Sequence, residues 1–198
     1  MVTHGFYYAP DPSSQQVCSI GGNIAENSGG AHCLKYGFTS HHVLSVEAVL
    51  PNGKVVQIDG PALDAPGLDL LGVLIGSEGT LAIVTKATLR LLRIPEATQT
   101  VLAAFNSIDA AAEVVSGIIR EGIIPAAVEM MDRLTIEAAE AAVHPGFPNA
   151  EAILIVELDG SLVEVEALMQ RVEQICYQNN VQSLQRAQDE TERARFSS

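Results

Sequence analysis

The chain has 198 residues, 47% hydrophobic and 18% charged, which is enough apolar side chain for one ordinary domain or two small ones and leaves little case for disorder. Its 24 acidic residues against 11 basic ones give a formal charge of -13, and it has no Trp and only 5% aromatics, a balance that repels phosphate backbones and argues against nucleic acid as a partner. No apolar run nears the roughly 20 residues of a membrane span, and the opening lacks a basic, apolar leader, so a soluble cytoplasmic protein is expected.

Glycine and charge divide the chain near Pro95. Residues 1–93 hold 12 of the 16 glycines, with 5 basic and 7 acidic residues; residues 94–198 hold 4 glycines, with 6 basic and 17 acidic residues. A domain boundary at residues 94–96 is expected, giving domains 1–93 and 94–198. In the first, VLSVEAVL at 43–50, a PNG turn and KVVQI at 54–58 predict a β-hairpin. The apolar run 68–75 fits either a helical turn or a buried strand. Alternation over 80–92 predicts one long strand.

The second half predicts strand 100–105, helix 108–120 stopped by Gly122, strand 126–131, helix 133–142 and strand 153–158. Ser161 with Glu164 predicts a capped helix running to about 177, and 181–184 a last strand. This order suits a ferredoxin-like α+β sandwich with one added helix.

Chemistry concentrates in CSIGGNIAENSGGAHCLKYG, residues 18–37, where two glycine pairs bracket Asn23, Glu26, Asn27 and Ser28. Glycines let main-chain N–H groups approach a ligand closely, and Asn and Ser add hydrogen bonds. The stretch lacks GxGxxG and Gly-Lys-Ser/Thr, so it is neither a Rossmann fingerprint nor a P-loop. By composition alone a cofactor loop and a set of tight turns both remain open, as they do for GSEGTLAIV at 76–84 and PDPSS at 10–14.

In this order and spacing, PDPSS, CSIGGNIAENSGGAHCLKYG, VLPNGKVV and GSEGTLAIVTKATLRLL resemble the FAD-linked oxidoreductases of the vanillyl-alcohol oxidase type. The likeness is greatest to the FAD-binding subunit of glycolate oxidase and to D-lactate and D-2-hydroxyglutarate dehydrogenases, and AAVEMMD and ILIVELDG extend it into the second half. The resemblance implies an α+β fold: the second subdomain of a PCMH-type FAD-binding domain, followed by part of a ferredoxin-like cap. It implies contacts with FAD at Pro12, Ser13, Ser14, Cys18 and Ser19, then at Gly21, Gly22, Asn23, Ala25, Glu26, Asn27, Ser28, Gly29 and Gly30, and finally at Glu78, Gly79 and Ile83. Ala82 stands where the family usually has glycine, a change tolerated if its φ is negative. The resemblance also implies a central fragment, without the pyrophosphate loop and the histidine metal-ligand region, that acts in the intact protein on a small 2-hydroxy acid beside companion oxidase subunits.

Oxidising such an acid needs a hydride acceptor, a base and a cation for the carboxylate. Adjacent His41 and His42 would point to opposite faces of a strand, and packing suits His32 better than catalysis. No catalytic base and no metal ligand is assigned. Cys18, Cys33 and Cys176 form no CxxC pair and read as small buried hydrophobes in a reducing compartment. A second reading is a non-catalytic interaction module that no longer holds flavin.

Overall fold

The computed structural model describes residues 4–60 and 67–196 and divides into two compact units, Met1–Ile94 and Pro95–Ser198. The leader reading at residues 1–3 lies outside the described residues.

In the first unit, β1 (Phe6–Tyr7) pairs with β5 (Leu92–Arg93), while β2 (Val43–Val49), β3 (Val55–Asp59) and β4 (Ile83–Leu89) form an antiparallel sheet of order β3-β2-β4. The hairpin formed by β2 and β3 is the predicted one. The apolar run resolves into α3 (Leu70–Leu74), because Asp69 caps it, its Oδ1 accepting from Gly72 N at 2.7 Å, and Leu71 and Leu74 then both face the core. The single long strand predicted over 80–92 is shorter. At its start Thr80 folds back on Ser77, both its N–H and its hydroxyl donating to that carbonyl; past its end, Arg90 N donates to His42 O and the chain turns to β1.

Glycine content hides a helix at α1 (Ile20–Glu26). Two glycines cost about 1 kcal/mol each in a helix. The Ser19 hydroxyl offsets part of this by accepting from Gly22 N at 3.0 Å. Ile24, buried in the core, adds apolar contact, and Asn27 closes the helix in the left-handed conformation at φ 50°. The other short elements are α2 (Cys33–Tyr36) and a 3-10 turn, Thr39–His41.

The second unit runs β6 (Ala97–Phe105), α4 (Ile108–Arg120), β7 (Ala127–Asp132), α5 (Arg133–Val143), β8 (Ala152–Gly160), α6 (Leu162–Gln178), β9 (Ser183–Arg186) and α7 (Glu190–Phe196). Its sheet has order β7-β8-β6-β9 and is antiparallel throughout, the ferredoxin-like arrangement with α5 as the added helix. Ser107, Asp132 and Ser161 cap α4, α5 and α6 through their side chains, and Gly122 follows α4 at φ 73°. Strand β6 is buried continuously from Thr100 to Phe105, since both faces of the sheet are covered. On one face Val101, Phe105, Leu154 and Val156 pack with Val114 and Ile118 of α4 and Met169 and Val172 of α6. On the other, Leu102, Ile153 and Ile155 pack with Ile136 of α5 and Phe196 of α7.

Polar ties close the edge. Arg186 of β9 binds both carboxylate oxygens of Glu173 and, at 3.1 Å, those of Glu166, fastening β9 to α6. Hydrogen bonds from Gln99, Gln170 and Arg186 hold the Glu166 carboxyl down to about 2. Cys176 is fully buried, and desolvation pushes its thiol up to about 12, which keeps it protonated and inert. Among the described residues no helix is long and apolar enough to cross a membrane, and no three His, Cys, Asp or Glu side chains gather as metal ligands.

Candidate functional site

Within the first unit, α1 and the turn that leads into β4 meet side by side. Gly76 N donates to Ile24 O and Glu78 N donates to Ala25 O, each at 2.9 Å. Making both bonds takes the turn through the left-handed region at Gly76, Glu78 and Gly79, with φ of 80°, 54° and 72°. Glu78, as a side-chain-bearing residue, holds that conformation at some cost and is fixed by its bond to Ala25. Between the two segments lies a cleft of about 270 Å³ lined by Gly21, Gly22, Ala25, Leu74, Ser77 and Ile83, with further apolar wall from Ile24, Ala82 and Val84 and main chain at Gly79. A Cβ added at Gly21 or at Gly79 would meet no atom within 4 Å, so the main chain there stands open to a ligand.

Of the residues expected to touch FAD, this cleft brings together Gly21, Gly22, Ala25, Gly79 and Ile83. Ser19 and Asn27 serve as the caps of α1, Asn23 is buried beneath it and Glu26 is exposed. Glu78 shapes the turn without lining the cleft. Pro12, Ser13, Ser14 and Cys18 occupy a separate turn, in which Ser14 O accepts from Val17 N and Cys18 N, and Ser28, Gly29 and Gly30 follow α1. Sequence reading missed Ile24, Leu74, Ser77, Ala82 and Val84. The signal for Leu74 was its spacing of three from Leu71, which is inward-facing only once 70–74 is a helix. Ala82 is absent from the residues with positive φ, so a methyl group in place of hydrogen is accommodated there.

Behind the glycine segment, main chain is fastened to the 3-10 turn that precedes β2. Ser28 O accepts from both Thr39 N and the Thr39 hydroxyl, and Asn27 Oδ1 accepts from Ser40 N. His41 and His42 lie in and just after the 3-10 turn rather than on a strand; there His41 is exposed and His42 is 1% exposed. The His42 Nε2–H donates to Tyr36 O at 2.9 Å, which leaves Nδ1 a lone-pair nitrogen, buried without a hydrogen-bond partner; the His42 and Tyr8 rings pack edge-on with centroids 5.9 Å apart.

Burial lowers the His42 pKa from its ordinary 6.5, and the charges of Arg90 and His41 lower it further. The folded state therefore prefers neutral imidazole. Above pH 6.5 both folded and unfolded states are neutral there and stability is undiminished; as pH falls below 6.5 the unfolded state takes up the proton first and stability declines. Hydrogen exchange of residues 28–42 is expected to speed up between pH 7.5 and about 5 beyond its intrinsic pH dependence. His42→Gln, which keeps a donor for Tyr36 O without a titrating ring, should flatten that excess; an equal excess in the variant would remove His42 as its cause.

The first unit carries a cleft with main chain in its walls, and the second has the ferredoxin-like strand order. Residues 94–198 match the family described as FAD linked oxidases, C-terminal domain, and residues 1–59 match the FAD binding domain. The chain belongs to the FAD-linked oxidases, a family whose cofactor is FAD.

It is 49% identical over 194 residues to "Glycolate oxidase subunit GlcD" of Escherichia coli (strain K12), covering 98% of this chain and 39% of that protein. The Bacillus subtilis (strain 168) protein of the same description is 46% identical over 190 residues, covering 95% and 40%. "D-lactate dehydrogenase" of Archaeoglobus fulgidus is 37% identical over 138 residues, covering 69% of this chain and 31% of that one. The chain thus spans about two fifths of the length of the glycolate oxidase relatives. A solved structure of alkyldihydroxyacetonephosphate synthase shares the fold, with a TM-score of 0.82 at 22% identity over 99% of this chain and 41% of that chain.

Proposed function

We propose that this chain forms part of the FAD site of an enzyme that oxidises a small 2-hydroxy acid of the glycolate or D-lactate type to the 2-oxo acid. The observation that carries the proposal is the convergence of α1 and the 76–84 segment on one cleft whose walls are glycine main chain and aliphatic side chain. FAD supplies the hydride acceptor when bound. The chain's own contribution is to hold it. Ile24, Leu74, Ile83 and Val84 give apolar surface for a ring system, and Gly21 and Gly79 let main chain approach it without a Cβ between.

Among the described residues the cleft is lined by uncharged side chains and main chain, which suits an uncharged portion of FAD rather than the pyrophosphate. In this reading residues 1–93 act as the second subdomain of the flavin domain and residues 94–198 as the first part of its cap. Pro12, Ser13, Ser14 and Cys18 add contacts from the neighbouring turn, and so do Ser19, Asn23, Glu26, Asn27, Ser28, Gly29, Gly30 and Glu78, mainly through main chain. Acid–base and metal chemistry is left to residues beyond this chain, which by itself holds flavin weakly and turns over no substrate. Companion oxidase subunits fit the glycolate oxidase relatives, which are themselves described as subunits. A cytoplasmic location fits three free thiols.

Titration of the purified chain with FAD and, separately, with riboflavin, followed by quenching of flavin fluorescence and visible circular dichroism, tests the reading. Weak saturable binding of both is expected, with riboflavin losing little for lack of phosphates. Gly21→Ala should stabilise α1 by up to about 1 kcal/mol, since its Cβ meets nothing, yet weaken flavin binding by placing a methyl group at the cleft. Flavin affinity unchanged by Gly21→Ala, or no saturable binding at all, would sink the proposal.

A further inference from the structure

The proposed flavin contacts lie on two stretches separated in sequence, 12–14 and 21–30, and one carboxylate joins them. Asp11 Oδ2 lies 2.5 Å from His32 Nδ1, and Asp11 Oδ1 accepts from His32 N at 3.4 Å. The two side chains are 21% and 30% exposed, so water screens the contact only in part. Asp11 stands between Pro10 and Pro12, both buried, whose rings fix their own φ and stiffen the turn that carries the carboxylate.

The main chain repeats the contact. A Cβ at Gly30 would lie 2.6 Å from the Asp11 carbonyl carbon and closer still to its oxygen, so the two segments touch through backbone as well as side chain. His32 O in turn accepts from Tyr36 N at 3.0 Å, and Tyr36 O accepts from His42 Nε2 at the head of β2. A run of directed contacts therefore leads from the proline turn through α2 to the sheet.

The geometry points to Asp11 and His32 as a positioning pair that sets the spacing between the two flavin-contacting stretches, an inference that rests on the FAD-site reading above. Neither residue lines the cleft, so neither is a catalytic residue. Asp11 receives the imidazole N–H, which fixes the ring, and the fixed ring holds the start of α2 against the proline turn. The conservative change Asp11→Asn leaves a carbonyl oxygen to accept the same N–H and keeps the spacing; Asp11→Ala removes the acceptor and releases both segments.

Three measurements on the full chain test it: the proton resonance of His32 Nδ1–H, amide exchange at residues 11–14 and 30–33 without flavin, and the FAD titration. In the parent a far-downfield His32 proton is expected. Asp11→Ala should abolish it, speed exchange in both segments and weaken FAD by about tenfold, while Asp11→Asn should recover most of the protection and affinity. Faster exchange with undiminished FAD affinity in Asp11→Ala would overturn the positioning role. Should Asp11→Ala fail to fold, the pair Asp11→Asn and His32→Gln carries the same comparison, and parent-like affinity in His32→Gln despite faster exchange would overturn it likewise. A parent chain that binds no flavin defeats the FAD-site reading and with it the positioning role, whereas exchange unchanged by Asp11→Ala defeats the pair alone.

Discussion

Gly30→Ala should destabilise the first unit by about 1–3 kcal/mol, the range for atoms forced into filled space, and flavin affinity should fall with it. The reason is what the new methyl group would meet. Its three nearest neighbours are the carbonyl oxygen, the carboxylate Oδ1 and the carbonyl carbon of Asp11. Two of these are main-chain atoms held between buried prolines, so no rotamer change relieves the overlap and the proline turn must move away. Chemical denaturation followed by exchange at residues 9–14 and 28–33 measures the loss. Gly21→Ala, with the same chemical change in open space, is the control: it should leave or improve stability. Equal stabilities for the two variants would mean that the proline turn and Gly30 do not touch as described.

The contrast between these glycines also explains what sequence alone conveyed. Both belong to the stretch 18–37, and composition treats them alike, as main chain open to a ligand. Gly21 is open; Gly30 is glycine because another segment of protein occupies the place of its Cβ. Only the approach of Asp11, nineteen residues earlier in the chain, distinguishes them, and no local pattern encodes it. For the same reason α1 was illegible: its two glycines argue against a helix, and the forces that win are a cap at Ser19, burial of Ile24 and a left-handed exit at Asn27. Two of those are visible as residue types, but their meaning depends on a core that α3 and the sheet complete.

The second unit was more legible because its signals are local and repeated. The spacing of Ala111, Val114 and Ile118 and the stop at Gly122 place α4 at its observed bounds, and the alternation of strands and helices suits the ferredoxin-like sheet that is found. Strand β6 starts earlier than predicted, at Ala97, because Thr98, Gln99 and Thr100 pair along Asp159, Leu158 and Glu157 of β8; ladder hydrogen bonds, rather than hydrophobicity, extend it. The cleft was legible as motif and only partly as place. Five of the seventeen nominated residues line it, and the remainder cap, brace or adjoin the same elements.

Phe105→Ala should cost the second unit about 3–5 kcal/mol, the loss typical of emptying a buried aromatic site. Phe105 ends β6 fully buried, among Ala111 and Val114 of α4 and the inward residues of β8. Its neighbours are poorly placed to fill the space: Ala103, Ala111 and Ala152 carry a single methyl group each, and the strand is held on both sides by β8 and β9. A unit of 104 residues has roughly 5–15 kcal/mol of stability in all, so the change removes a large share of it. Phe105→Leu, which retains most of the apolar volume, should cost under about 1.5 kcal/mol. Urea denaturation read by exchange at β6 and β8 amides separates the two variants, and because α4 and α6 share this core, their amides should lose protection at the same urea concentration as the strands. A loss below about 1 kcal/mol for the alanine variant, or helices that open well before the sheet, would mean that the ring does not join the layers as its burial implies.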